Sequence, residues 1–180
     1  MTRVDPADIF SGIVGSVREP KRMETGSTTV ATEMQQRMRV RLFNTSVVPI
    51  VITTGTDTVV GMTGKVFDTA GLSGNSKITI PSGGFTTGTW IFHAHVSWIA
   101  PSAAVHSLWI RKNGAAVLTN VSRMFGNAVV DLTQDSWGFV NDPLPGDYFE
   151  AVVRHETGAN NTIFTGNSDA ETYFEAYHGW

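Results

Sequence analysis

His93 and His95 stand two residues apart within the run GTWIFHAHVSW at 88–98. In a strand that spacing puts both imidazoles on one face, which is the arrangement in this chain with metal-ligand character. The sequence offers no evident third ligand beside them, so the pair reads instead as lining a subunit interface or facing solvent. Six acids, Asp131, Asp135, Asp142, Asp147, Glu150 and Glu156, fall near predicted strand ends, where carboxylates commonly close turns. Nothing places two of them at the separation that glycoside hydrolysis needs. Five tryptophans supply a different chemistry, since an indole can stack on a sugar or fill a core. Trp90 and Trp98 belong to the core-facing set of their strand, leaving Trp109, Trp137 and Trp180 as candidates for a sugar platform or for subunit contacts. No nucleophile elbow, phosphate loop or dinucleotide fingerprint is present, and the reading is of a protein that is not an enzyme, with no metal and no cofactor.

The elements that must position these residues are mostly strands. Trp90, Phe92, Ala94, Val96 and Trp98 alternate with Ile91, His93, His95 and Ser97, the period-two pattern of a half-buried strand. Met38, Val40 and Leu42 alternate in the same way with Arg37, Arg39 and Arg41, which predicts the first strand of the domain. The apolar run Val47–Ile52 is expected to continue or pair with it, with Pro49 marking an edge or a bulge. Further strands are predicted over 58–62, 77–80, 107–111, 115–119, 128–132, 136–140, 148–155 and 172–178. Short strands at close intervals point to a sandwich or barrel.

Residues 1–36 read as an arm outside a domain at 37–180. Asp5, Pro6 and Asp8 form a helix-start signal, and Ile9, Phe10, Ile13, Val14 and Val17 then fall on one face at helical spacing. Gly12 and Gly15 weaken so short a helix by up to about 1 kcal/mol each, so its apolar stripe needs a surface to lie on. The polar stretch that follows, with Arg18, Lys21 and Arg22 at its start, reads as a linker.

Composition narrows the class further. The 180 residues suffice for one domain and an extension, and 41% are apolar against 16% charged. The formal charge is −3, and no basic run is long enough to follow a phosphate backbone, which argues against nucleic acid as partner. Positions 1–41 hold seven of the 13 basic residues against five acids, a modest asymmetry that would steer the arm towards acidic surfaces. There is no cysteine, hence no disulfide or thiol chemistry. No stretch approaches the ~18 apolar residues of a membrane span, and the start MTRVDPADIF lacks the order of a secretory signal. Assembly in a cytoplasm, without a membrane, is the expectation.

Four segments in order carry a resemblance: GTWIFHAHVSW at 88–98, the Lys112-Asn113-Gly114 hairpin in LWIRKNGAAV, the Pro145-Gly146-Asp147 turn in LPGDYFEAVV, and the closing TYFEAYHGW at 172–180. From Gly71 onward this order resembles the jelly roll of the tumour necrosis factor superfamily and the complement globular head. The resemblance implies an all-β antiparallel jelly-roll sandwich that works as a homotrimer, here with an N-terminal arm containing a short helix. It also implies that calcium, held by some complement-type relatives, could occupy a loop across 131–142. A metal-dependent jelly roll of cupin type would carry a glutamate four or five residues after the histidine pair, where this chain has Ile99 and Ala100.

Without cysteines or a collagen-like stalk, the chain looks like the jelly rolls of bacteriophage particles. The function expected is a trimeric decoration, or cement, protein on a phage capsid surface, made in the host cytoplasm and partnered with the major capsid protein. Ile9, Phe10, Ile13, Val14 and Val17 would anchor the arm while Arg18, Lys21 and Arg22 steer it. His93, His95, Tyr173, Tyr177 and Trp180 are assigned to the trimer interface. The alternative is a head- or tail-fibre tip that binds a host receptor or glycan.

Overall fold

The computed structural model describes residues 39–69, 71–82, 87–99, 101–117, 121–126, 131–156, 158–165 and 171–179. The expected arm, from Ile9 to Arg22, and Trp180 lie outside the described residues. In chain order the strands are β1 (Arg39–Phe43), β2 (Ile50–Ile52), β3 (Thr58–Val59), β4 (Gly64–Asp68), β5 (Ser73–Gly74), β6 (Lys77–Thr79) and β7 (Thr89–Ile99). They continue with β8 (Val105–Lys112), β9 (Ala116–Val117), β10 (Ser122–Phe125), β11 (Leu132–Asn141), β12 (Tyr148–His155), β13 (Asn161–Ile163) and β14 (Tyr173–His178). No helix among the described residues is long and apolar enough to cross a membrane.

The strands form two antiparallel sheets. In the first, β4, β1, β14 and β7 lie side by side, β11 covers the other edge of β7, and β13 with β2 extends from the far end of β7. The second runs β10, β8, β12, β6, β5, with β3 on β12 and β9 on β8. All the pairings are antiparallel, as the sandwich reading expects.

The alternation read in 89–98 sets the core. Trp90, Phe92, Ala94, Val96 and Trp98 are all fully buried, and they face Leu108 and Ile110 of β8 and Phe149, Ala151 and Val153 of β12 in one cluster. The Phe92 and Phe149 rings, one from each sheet, lie 4.1 Å apart between centroids. Val40 and Leu42 of β1 and Phe174 and Ala176 of β14 fill the same layer. Polar groups inside it are paired. The Trp98 indole donates to Gln134 Oε1 at 3.2 Å, and Asn161 donates to His106 Nε2 at 3.0 Å while His106 Nδ1 meets the Ala104 carbonyl at 2.9 Å.

The two turn motifs prove to be one device. Asn113 and Gly114 both have positive φ, 50° and 76°, as a tight hairpin demands. A Cβ at Gly114 would also come within 3.0 Å of the Tyr148 hydroxyl. The Asp147 carboxylate accepts from Asn113 Nδ2 at 2.8 Å and from the Leu144 amide at 2.9 Å, and pairs with Lys112. Tyr148 N in turn donates to Asn113 Oδ1 at 2.9 Å. The hairpin after β8 is thereby tied to the turn before β12, and the two strands run paired from Phe149 opposite Lys112 to His155 opposite His106.

Several expectations need correction. The run at 47–52 neither continues nor pairs with the first strand; β2 pairs with β13 at the edge of the sheet, an edge consistent with Pro49, and Val47, Val48 and Val51 are exposed. The segments read as separate strands at 128–132 and 136–140 are, from Leu132 on, the single strand β11, which pairs with β7 over its whole length. No calcium loop therefore spans 131–142. The stretch Thr133–Asp135 between the two segments is polar, but Gln134 points inward on a hydrogen bond and Asp135 outward onto histidines. Strands β4, β10 and β13 carry no apolar alternation long enough to be read; β4 and β10 are only partly covered.

Candidate functional site

The outward face of the first sheet gathers ionisable and aromatic side chains from four adjacent strands. Strand β7 contributes His93 and His95, β11 contributes Asp135, Trp137 and Phe139, β14 contributes Tyr173, Glu175 and Tyr177, and β1 contributes Arg41. Register brings them together. Asp135 lies opposite His95 and Trp137 opposite His93 on one side of β7; on the other, Tyr173 lies opposite His95, Glu175 opposite His93 and Arg41 opposite Glu175.

The charges form one chain of contacts. Asp135 Oδ1 takes both His93 Nε2 at 2.7 Å and His95 Nδ1 at 2.8 Å. His93 Nδ1 lies 3.1 Å from Glu175 Oε1, and Arg41 Nε donates to Glu175 Oε2 at 2.6 Å. Tyr177 also donates to Glu175. Burial by itself would push the Glu175 carboxyl up, but the hydrogen bonds from His93, Arg41 and Tyr177 overcome it and hold the group down at about 2. Burial, and then the Glu175 carboxylate, push Tyr177 up to about 12. Asp135 is likewise lowered, its two histidine bonds outweighing burial.

Rings close over this chain. The Trp137 indole stacks on His93 with centroids 3.7 Å apart and planes 4° from parallel. Tyr173 stacks on His95 at 5.0 Å, and the Arg41 guanidinium sits 4.4 Å from the Tyr173 ring centroid. Beyond the stack the face is bare: Trp137 is 49% and Phe139 63% exposed. Among the described residues, no set of three or more His, Cys, Asp or Glu is arranged to hold a metal ion. The imidazoles converge on a carboxylate oxygen rather than on an open position, so the His-x-His pair is built into a hydrogen-bond network.

Four of the five residues assigned from sequence to a subunit interface, His93, His95, Tyr173 and Tyr177, are therefore brought together. Asp135, Glu175, Arg41, Trp137 and Phe139 complete the face and were not singled out for it. The outward alternation of Asp135, Trp137 and Phe139 would have shown it had 132–141 been read as one strand. Asp142, by contrast, ties the end of β11 to the start of β7: its Oδ1 accepts from the Gly88 amide at 2.7 Å. Trp109 lies elsewhere, on the outward face of the second sheet.

Murine APRIL superposes with a TM-score of 0.58 at 11% identity, covering 80% of this chain and all of that one. The fold is a tumour necrosis factor-like jelly roll. The globular domain of zebrafish complement 1qA gives 0.56 at 12% identity over 79% of this chain and 98% of that one. The Eiger tumour necrosis factor of S. frugiperda gives 0.57 at 9% identity over 80% and 93%. No family model and no curated protein matches the sequence. At these identities the likeness is one of tumour necrosis factor-like fold.

Proposed function

We propose that this jelly roll is a non-enzymatic structural module that associates with copies of itself through the outward face of its first sheet, as a homotrimer, and decorates a phage capsid through its N-terminal arm. The observation that carries the self-association is the contrast within that face. Its charged groups are already paired with one another, so covering them leaves no charge without a partner. Its exposed groups are Trp137 and Phe139, large aromatics of the kind that anchor interfaces. The number three rests on the resemblance of the fold. The capsid role rests on the sequence pattern of residues 1–36, whose apolar stripe requires a surface.

Two measurements test the reading. Solution mass is expected to show a trimer that Phe139→Ser weakens; a stable monomer of the unsubstituted chain would refute self-association. Deletion of residues 1–36 is expected to leave the trimer intact and abolish its binding to expanded phage heads. If the truncated trimer still decorates heads, or loses only adsorption to host cells, the cement role fails and the fibre-tip role takes its place.

A further inference from the structure

A groove of about 440 Å³ lies on the outward face of the second sheet, on the opposite side of the sandwich from the aromatic face. Asp57, Ser107, Trp109, Arg111, Arg123 and Arg154 line it, with Glu156 at its rim. Register makes it a built arrangement. Ser107 of β8 has Arg123 of β10 opposite it on one side and Arg154 of β12 on the other, so the two arginine backbones flank it about 10 Å apart. Trp109 and Arg111 follow at successive outward positions of β8, and Trp109 lies opposite Val152.

Two of the three arginines are held in place by carboxylates. Arg154 Nε donates to Glu156 at 2.9 Å and its Nη1 to Asp57 at 3.4 Å. Arg111 donates through Nη2 and Nε to Glu150 Oε2, at 2.9 and 3.1 Å. Arg123 is exposed, and no hydrogen bond or ion pair links it to another described residue. The groove thus offers one unengaged guanidinium, two positioned ones, a serine hydroxyl, an indole and two carboxylates with acceptor capacity to spare.

The geometry points to an acidic saccharide as the ligand, its carboxylate on Arg123 beside Ser107 and its hydroxyls on Asp57 and Glu156. Each part of the donor set selects for that class. Arginine takes a carboxylate in a planar fork. Carboxylates of the protein are acceptors only and favour a ligand that brings several hydroxyl donors, whereas a phosphate ion brings few and an acidic peptide brings further carboxylates that Asp57 and Glu156 repel. The Trp109 indole, 8% exposed, adds an apolar edge to the lining, and the volume is that of a small-ligand site. The groove lies on the second sheet and the proposed subunit face on the first, so this inference does not rest on the trimer.

Calorimetric titration of the full chain with sialyllactose and with a glucuronic acid–N-acetylglucosamine disaccharide is the test. At least one acidic sugar is expected to bind with Kd of about 1 mM or tighter, and lactose at least about tenfold more weakly, because the arginine fork goes unused. Arg123→Ala, at an exposed position, is expected to weaken the acidic sugar by about tenfold without changing the melting temperature. The proposal is overturned if neither acidic sugar binds at about 10 mM, if lactose binds equally well, if Arg123→Ala has no effect, or if inorganic phosphate or a tetraglutamate peptide binds as tightly.

Discussion

Glu175 is the residue on which the outward network turns, because it is 3% exposed yet ionised among three donors. Its carboxyl sits at about 2 in the folded chain against an ordinary 4.5. Between those values the unfolded chain binds the proton and the native chain does not, so stability falls as pH falls through that window and is fully present above it. A shift of this size corresponds to a contribution on the order of 3 kcal/mol at neutral pH. Glu175→Gln is therefore expected to destabilise the protein at pH 7 and progressively less from about pH 4.5 down to about pH 2, as read by urea unfolding across pH. A penalty that stays constant with pH would show that the carboxylate charge is not what the network holds. His93 and His95 are legible in the sequence by their spacing, whereas their meeting with Asp135 and Glu175 is not, since nothing local links positions 93, 135 and 175.

At the scale of elements, the tie between the β8 hairpin and the turn before β12 decides the alignment of the second sheet. Asp147 is 6% exposed, and its carboxylate serves Lys112, Asn113 and the Leu144 amide together. Those bonds prevail over burial to lower its pKa. Asp147→Ala is expected to cost about 1–3 kcal/mol by leaving the Leu144 amide and Asn113 short of an acceptor. Asp147→Asn, which keeps an acceptor oxygen, is expected to cost less, and thermal unfolding of the pair measures the difference. Both motifs were legible because tight turns are local: Asn-Gly and Pro-Gly-Asp encode their own backbone angles. Their coupling was not, because it joins residues 34 positions apart. The same limit hid β13, whose partners are β2 and the end of β7.

For the whole molecule, the buried polar layer at one end of the sandwich sets a second response to acid. His106 is fully buried, donates through Nδ1 to Ala104 and accepts from Asn161 at Nε2, which fixes the neutral ring. Burial lowers its pKa, with His155 adding to the effect against the Ala104 bond. The unfolded chain thus takes up a proton near the ordinary 6.5 that the native chain refuses, so stability is expected to start falling as pH drops below about 6.5. His106→Gln should flatten that first stage in an acid titration of unfolding free energy and leave the later carboxylate stage unchanged. The sequence by itself determined the sandwich, the core face of β7, the hairpin and turn, and that His93 shares a side of its strand with His95 and Tyr173 a side of its strand with Tyr177. Each of these follows from period-two alternation or from turn chemistry, which act over a few neighbouring residues. Only the tertiary structure decided that Asp135, Glu175 and Arg41 join those histidines, that Trp137 caps them, and that three arginines gather around Trp109. Those choices depend on which strands become neighbours and in what register, and antiparallel pairing across the whole chain fixes that where no short stretch of sequence can.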